Sequence, residues 1–267
     1  MSEKLMVRRE GRVARVTLNR PEVRNALDSQ LCAALLGALE EANADATVGS
    51  ILLDAAGSAF CAGMDLKEPA ALDSASLPPL HVDLFSFGRN LTKPMVAAVQ
   101  GAALGGGAGL ALNAHIVLAA GDARFGLTET RIGLWPYAIF PVVAAAVGRR
   151  KAAELAITGR IIGAAEAMAL GMADEVVPAG SLAARAMELA KSLARSSGEA
   201  LAAGLGFLRD TEGLPRDEIR RLAAERRLEA QRTADFREGV EAFRQKREPV
   251  WPSHRWPGGK REAAGDR

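Results

Sequence analysis

Hydrophobic and polar residues follow one another along the first half of the chain in patterns that predict strands and helices. Residues 5–9 and 13–18 alternate like two strands joined by a turn at Gly11. Residues 29–42 carry apolar side chains at helical spacing, and Asp28 stands directly before them as a predicted N-cap. The same patterns predict further strands at 48–55, 94–100, 116–120 and 123–126. They predict helices at 81–91, 139–147 and 151–157. Residues 68–79 form a passage rich in Pro and Ser.

The pattern changes near residue 182, where amphipathic helices rich in Ala, Leu, Glu and Arg begin. These helices are predicted at 183–194, 215–230 and 236–247. The predicted organisation is therefore a core of residues 1–181, a helical C-terminal segment of 182–250 and a flexible tail of 251–267.

A glycine-dense turn follows the apolar strand that starts at Pro94. Residues 101–109 contain this turn and lead into a helix N-terminus. Helix N-termini have N–H groups without backbone partners, and glycine lets an acyl group approach the backbone closely. The turn could therefore stabilise an oxyanion, although close packing of a strand against a helix would also need small residues. It is neither a dinucleotide fingerprint nor a P-loop, because Leu110 replaces the last glycine and no lysine follows Gly106.

Two motifs together resemble the crotonase superfamily, the enoyl-CoA hydratase/isomerase family. The first is the run Phe-Cys-Ala-Gly-Met-Asp-Leu-Lys at residues 60–67, and the second extends from Lys93 through the glycine turn to Leu110. The resemblance implies an α/β fold built as a crotonase-like spiral of ββα turns, with a helical C-terminal trimerisation segment that completes the CoA pocket. Further segments that extend the resemblance over nearly the whole chain lie at 13–27, 125–133, 157–171 and 238–247.

The resemblance also implies roles for individual residues. The backbone N–H groups of Met64 and Gly106 match the pair that binds the thioester oxygen, and Glu129 matches a pocket glutamate that moves a proton. Burial in an apolar pocket would raise the pKa of such a carboxyl and suit it to that task. Gly109 stands where hydratases of the family carry their first glutamate. The predicted substrate-binding residues are Ala62 for the adenine, Arg24 and Lys67 for the phosphates, Trp135 for the acyl tail, and Gly63, Gly105 and Gly109 around the acyl group.

The glycine at position 109 leaves the reaction open. Hydration requires one group to deprotonate a water while the α-carbon is protonated, a task ordinarily divided between two carboxylates. A single carboxylate can instead move a proton from C2 to C4 of a 3-enoyl thioester. We therefore expect double-bond isomerisation ahead of hydration. The alternatives are decarboxylation or hydrolysis of an acyl-CoA, and a catalytically weak acyl-CoA-binding subunit.

Three other side chains could have chemical roles. Cys61 lies beside the first motif, but no positioned histidine is evident, so a buried thiol is favoured over a nucleophile. His81, in the helix predicted over the pocket, is a candidate for the acyl channel. Tyr137, like Trp135, is interpreted as a wall for the acyl tail or as a core residue.

Composition fits an ordinary enzyme and limits the partners. The 267 residues are 49% hydrophobic and 25% charged, with a net charge of +2 and no dense basic stripe, so nucleic acid is not expected. The expected partners are the acyl-CoA and further copies of the chain, as a homotrimer or a dimer of trimers. Membrane partners are not expected, and a polar N-terminus without a signal-peptide core predicts a cytoplasmic protein. No cofactor is expected beyond the CoA of the substrate, and no metal, since the three histidines lack ligand spacing.

Overall fold

The computed structural model describes residues 4–68 and 78–254 of the chain. These residues form two β-sheets and a set of helices, which confirms the expected α/β class. The strands are Leu5–Glu10 (β1), Val13–Leu18 (β2), Ser50–Ala55 (β3), Met95–Val99 (β4), Ala102–Leu104 (β5), Ile116–Ala120 (β6), Arg124–Gly126 (β7), Ile161–Gly163 (β8) and Glu175–Val177 (β9). The helices are Ser29–Ala44 (α1), Pro78–Ser86 (α2), Gly106–Leu112 (α3), Phe140–Val147 (α4), Arg149–Thr158 (α5), Ala164–Leu170 (α6), Leu182–Ala194 (α7), Gly198–Asp210 (α8), Arg216–Ala230 (α9) and Ala234–Gln245 (α10).

The larger sheet contains six strands in the order β1-β2-β3-β4-β6-β9. Strands β1 and β2 are antiparallel and meet at the predicted turn, where Gly11 has a φ of 59°. This left-handed conformation favours glycine. The later pairs of this sheet are parallel, so segments that leave successive strands emerge at the same edge. The arrangement matches the predicted succession of ββα turns.

A second sheet joins the three short strands β5, β7 and β8. Strand β5 pairs in parallel with β7, and β7 pairs in antiparallel with β8. Strand β7 lies within the predicted strand at 123–126, whereas β5 and β8 were not predicted, because a run of three residues seldom shows an alternation. Strand β5 matters for function because it ends at Leu104, directly before the turn that begins α3.

Two hydrophobic cores lie on the two faces of the larger sheet. Alternate residues of the strands point to opposite faces, so Ile51 joins one core and Leu52 joins the other. The larger core includes α1 and α3, and the smaller core packs the sheet against α7 through small residues such as Ala186 and Ala190. The predicted boundary at residue 182 therefore falls between the sheet and a helix that packs directly on it.

Most predicted helices occur within a few residues of their expected bounds. The Asp28 side chain accepts a hydrogen bond from Leu31 N at 2.7 Å, which confirms the predicted cap of α1. The helix expected at 81–91 is α2 followed by a 3-10 turn over Phe87–Asn90. Helices α6 and α8 were not predicted. Of the predicted Pro- and Ser-rich passage and tail, residues 69–77 and 255–267 lie outside the described residues.

Across 4–68 and 78–254, no helix has both the length and the apolar composition needed to cross a bilayer.

Candidate active site

The two sequence motifs meet through backbone hydrogen bonds. Cys61 N donates to Ala102 O at 2.8 Å, and Leu104 N donates to Cys61 O at 3.0 Å. These two bonds make a parallel bridge between Cys61 and Ala103 of β5. The first loop is thereby attached to the strand that leads into the glycine turn.

On its other side the first loop is paired with Leu27. Leu27 N donates to Gly63 O at 2.8 Å, and Asp65 N donates to Leu27 O at 2.9 Å. In such a parallel bridge the residue between the two bonded groups directs its own N–H and C=O to the opposite side. The Met64 N–H therefore points away from Leu27.

Gly106 is the first residue of α3 and follows Gly105, whose φ is 52°. A methyl group placed on Gly63 would lie 3.7 Å from Gly106 N, so the two loops approach each other closely. Within the described ranges, neither the Met64 N–H nor the Gly106 N–H is a donor in the hydrogen bonds around the two loops. The structure therefore brings both predicted oxyanion donors into one small region.

The Glu129 carboxyl lies against the same turn. Glu129 begins a 3-10 turn, Glu129–Ile132, after β7, and a methyl group on Gly105 would be 2.9 Å from its Oε1. Its Oε2 is buried and has no hydrogen-bond partner among the described residues. Burial raises the pKa of this carboxyl above its ordinary value. An unpaired carboxyl with a raised pKa is suited to exchanging a proton with a bound molecule.

Apolar side chains fill the space beside Gly109. A methyl group on Gly109 would lie 2.3 Å from Ile139 Cγ2, 2.6 Å from Ile139 Cβ and 3.4 Å from Phe85 Cδ1. The ring of Phe85 also faces the turn, since a methyl group on Gly106 would lie 3.1 Å from its Cζ. Position 109 therefore has no room for a side chain, and its surroundings are apolar.

The other predicted substrate-binding residues border the first loop or follow Glu129. Ala62 N donates to Arg24 O at 3.0 Å, which places Arg24 beside the first loop. The side chains of Arg24 and of Lys67, the last residue of the first motif, are exposed. Trp135 is half-buried, with its ring centroid 5.8 Å from that of Phe140. Tyr137 is 75% exposed, so it is not a core residue. The roles of these residues stay predictions.

The Cys61 thiol and the His81 imidazole, two other candidate groups near the site, have different chemical properties. Cys61 is buried, and desolvation raises its pKa to about 12, which favours an inert thiol over a nucleophile. His81 Nε2 is buried without a partner among the described residues, and its ring centroid is 6.4 Å from that of Phe85. The described part of the chain contains no cluster of three or more His, Cys, Asp or Glu residues that could hold a metal ion.

The apolar neighbours that shape the site are not among the residues predicted from the sequence. Phe85 and Ile139 were not singled out, because their apolar segments contain nothing that distinguishes a pocket wall from a core residue. Arg20 was not predicted either, although it lies in the segment 13–27 that extends the family resemblance. Its guanidinium donates to Ala26 O at 2.6 Å and to Asp65 Oδ2 at 3.1 Å.

A groove of about 830 Å³ lies elsewhere, between α8, α9 and α10. Its lining includes Phe236 and Phe243, which are 44% and 85% exposed. The predicted trimerisation segment thus has an apolar face, and the oligomeric state itself stays a prediction.

Known proteins resemble this chain along almost all of its length. The family model described as enoyl-CoA hydratase/isomerase matches residues 8–254. The enoyl-CoA hydratase EchA19 of Mycobacterium tuberculosis is 34% identical over 251 residues, covering 91% of this chain and 94% of that protein. The 1,2-epoxyphenylacetyl-CoA isomerase of Escherichia coli is 35% identical over 266 residues, covering 93% and 98%. The crystal structure of an enoyl-CoA hydratase from Bacillus anthracis superimposes with a TM-score of 0.89 at 30% identity, covering 94% of this chain and all of that one.

Proposed function

The chain belongs to the enoyl-CoA hydratase/isomerase family, and on that premise we propose that it moves the double bond of an enoyl-CoA through an enolate intermediate. In this proposal Glu129 transfers the proton, and the N–H groups of Met64 and Gly106 hold the thioester oxygen. An acyl-CoA substrate follows from the family, and the choice of isomerisation rests on the surroundings of one glycine.

The observation that carries the choice is the apolar packing at Gly109. Ile139 and Phe85 occupy the space that a side chain at this position would need. A second carboxylate therefore has no place there, and apolar carbon atoms offer no hydrogen bond to a water. These surroundings disfavour a mechanism that needs an activated water and favour one in which a single carboxylate works alone.

The proposed reaction moves one proton and no other atoms. Glu129 takes a proton from C2 of a 3-enoyl-CoA, and the C2–H electron pair becomes the C1–C2 double bond of the enolate. As the thioester carbonyl re-forms, a C2–C3 double bond replaces the C3–C4 double bond, and C4 receives the proton from Glu129. The raised pKa of Glu129 supports this role, because burial makes the carboxylate a stronger base than an exposed glutamate while the protonated form can still return the proton.

The enolate carries its negative charge on the thioester oxygen. The Met64 and Gly106 amides would each donate a hydrogen bond to that oxygen, and one well-placed donor contributes a factor of about 10²–10³ in rate. Proton transfer by a positioned carboxyl contributes about 10²–10⁴. The CoA part of the substrate would extend past Ala62 towards the exposed Arg24 and Lys67.

Hydration of a 2-enoyl-CoA is the second candidate. The observation that favours it is the similarity to the Mycobacterium tuberculosis relative, an enoyl-CoA hydratase that is 34% identical to this chain. In that case a group other than residue 109 would have to hold the water.

Turnover of matched thioesters tests the proposal. The purified protein should convert a 3-enoyl-CoA into the 2-enoyl-CoA and should add water to the 2-enoyl-CoA far more slowly. Glu129→Gln should lower kcat by about 10²–10⁴-fold, and Glu40→Gln at an exposed position of α1 should leave kcat unchanged. Faster hydration than isomerisation would establish the second candidate, and full activity of Glu129→Gln would refute the assignment of the base.

A further inference from the structure

Arg20 is connected to the Met64 N–H through two peptide groups. The Arg20 guanidinium donates to Ala26 O at 2.6 Å, and the N–H of the same peptide group, that of Leu27, donates to Gly63 O at 2.8 Å. The Gly63 carbonyl in turn shares its peptide group with the Met64 N–H. A trans peptide directs its C=O and N–H in opposite directions. Each of the two peptide groups therefore accepts a hydrogen bond on one side and directs its N–H to the other side.

The guanidinium is fixed from several sides. Its Nη1 lies 3.1 Å from Asp28 Oδ2, and its Nη2 lies 3.1 Å from Asp65 Oδ2. The Arg20 side chain is 13% exposed and those of Asp28 and Asp65 are 8% and 15% exposed. Asp28 Oδ2 also pairs with Lys4 Nζ at 2.6 Å. The two cations and two carboxylates balance, so the long-range field of the group is small and the influence of the guanidinium is exerted through its hydrogen bonds.

The segment between Arg20 and Leu27 is rigid as well. Arg20 N donates to Asn25 Oδ1 at 2.7 Å, and Asn25 N donates to Arg20 O at 2.8 Å. The Asn25 Nδ2 group donates to Ala56 O and Ala59 O at 2.9 and 2.8 Å. These bonds hold Asn25 in the left-handed conformation, at a φ of 55°. The peptide group of Ala26 and Leu27 therefore has little freedom to rotate.

We propose that Arg20 is a positioning residue that orients and polarises the Met64 N–H through this relay of two peptide groups. The inference rests on the proposed function, because it takes the Met64 N–H as a donor to the thioester oxygen. A hydrogen bond accepted by a carbonyl strengthens the donor at the other end of the same peptide group, so linked bonds reinforce one another. With a charged donor at its start, the relay makes the Met64 amide a stronger donor and prevents its peptide plane from turning.

Loss of the relay should weaken catalysis more than binding. Oxyanion donors act mainly where negative charge develops, so their loss lowers kcat and leaves KM nearly unchanged. Removing a whole donor costs about 10²–10³-fold in kcat. A donor that is present but less well oriented should cost less, about 10- to 100-fold.

The test combines kinetics with a direct measure of carbonyl polarisation. Difference infrared spectra of bound butanoyl-CoA, labelled with ¹³C at the thioester carbonyl, report the strength of the hydrogen bonds to that oxygen. We expect the carbonyl band of the wild-type complex to lie below that of free butanoyl-CoA. In Arg20→Met the band should move back towards the free value, with kcat lowered by about 10- to 100-fold and KM within about threefold.

Two variants separate this effect from general loss of stability. Arg15→Met removes a comparable pair, since Arg15 Nε donates to Asp54 Oδ2 at 2.8 Å on β2 and β3, outside the relay. It should lower the unfolding temperature without moving the carbonyl band. Arg20→Lys keeps a positively charged donor at this position, so it should give an intermediate band and kcat. If Arg20→Met does not fold, the carbonyl band and kcat of Arg20→Lys provide the test.

The outcomes distinguish the two hypotheses. A wild-type complex whose band equals that of free butanoyl-CoA would overturn the proposed function, and the relay with it. A shifted wild-type band that Arg20→Met and Arg20→Lys leave unchanged would overturn the relay alone. An equal loss of band shift in Arg15→Met would show that Arg20 acts only through stability, which also overturns the relay.

Discussion

Replacing Gly109 with alanine tests the apolar wall on which the choice of reaction depends. The added methyl group would lie 2.3 Å from Ile139 Cγ2 and 2.6 Å from Ile139 Cβ. Carbon atoms prefer separations of about 3.5–4.0 Å, so one partner must move by more than about 1 Å. Inserting a methyl group into a packed core typically costs about 1–3 kcal/mol. Gly109 lies inside α3, where alanine gains about 0.5–1 kcal/mol over glycine in helix propensity and offsets part of this cost. With two contacts this short, we expect Gly109→Ala to lower the free energy of unfolding by about 1–2 kcal/mol.

A double-mutant cycle assigns the cost to Ile139. Ile139→Ala removes Cγ2 but keeps Cβ, so the penalty of Gly109→Ala should fall by about 1 kcal/mol in that background. Ile139→Val keeps both atoms and should relieve nothing, which makes it the matched control. Denaturant unfolding, with equal m-values required for all variants, supplies the free energies.

Two results would refute this reasoning. A Gly109→Ala protein as stable as wild type, within about 0.5 kcal/mol, would mean that the space beside Gly109 is open. Equal relief by Ile139→Val and Ile139→Ala would mean that the crowding comes from another residue. In the first case position 109 could accept a polar side chain, and its surroundings would no longer disfavour hydration. In the second case the space would still be filled, but Ile139 would not be the residue that fills it.

Two further predictions concern groups whose pKa is raised by burial. Glu129 has a raised folded-state pKa, so its contribution to stability is greatest below the unfolded pKa and is lost as the pH rises through the folded pKa. Glu129→Gln should therefore unfold at a higher temperature than wild type at pH 8 and at the same temperature near pH 4; a less stable variant at pH 8 would contradict this. Cys32 and Cys61, both with pKa raised to about 12, should resist a thiol reagent at pH 8 until the protein unfolds, and rapid labelling of the folded protein would contradict their burial.

The parts of the fold that sequence could predict are those determined by neighbouring residues. The pair β1–β2, its turn at Gly11 and the Asp28 cap of α1 all depend on local pattern and local hydrogen bonds. Helix α8 was missed because Gly204 and Gly206 lower helix propensity, and tertiary packing overrides that preference. Strands β5 and β8 exist only through pairing with β7, which the sequence does not reveal.

The candidate site likewise has features that the sequence could predict and features that depend on contacts between distant residues. Its motifs identify Met64, Gly106 and Glu129 by resemblance, and the structure brings their segments together. The direction of the Met64 N–H, however, depends on pairing with Leu27, and the crowding of Gly109 depends on Ile139. Both contacts join residues far apart in the chain, so no local pattern could have predicted them.

The main-chain bonds between the first loop, Leu27 and β5 have an evolutionary consequence. Mutation changes side chains and leaves peptide groups in place, so substitutions around the loops need not disturb the bonds that hold them together. If the proposed function holds, the apolar walls around the acyl group could change to fit a different thioester while the two backbone donors to its carbonyl oxygen stay in place.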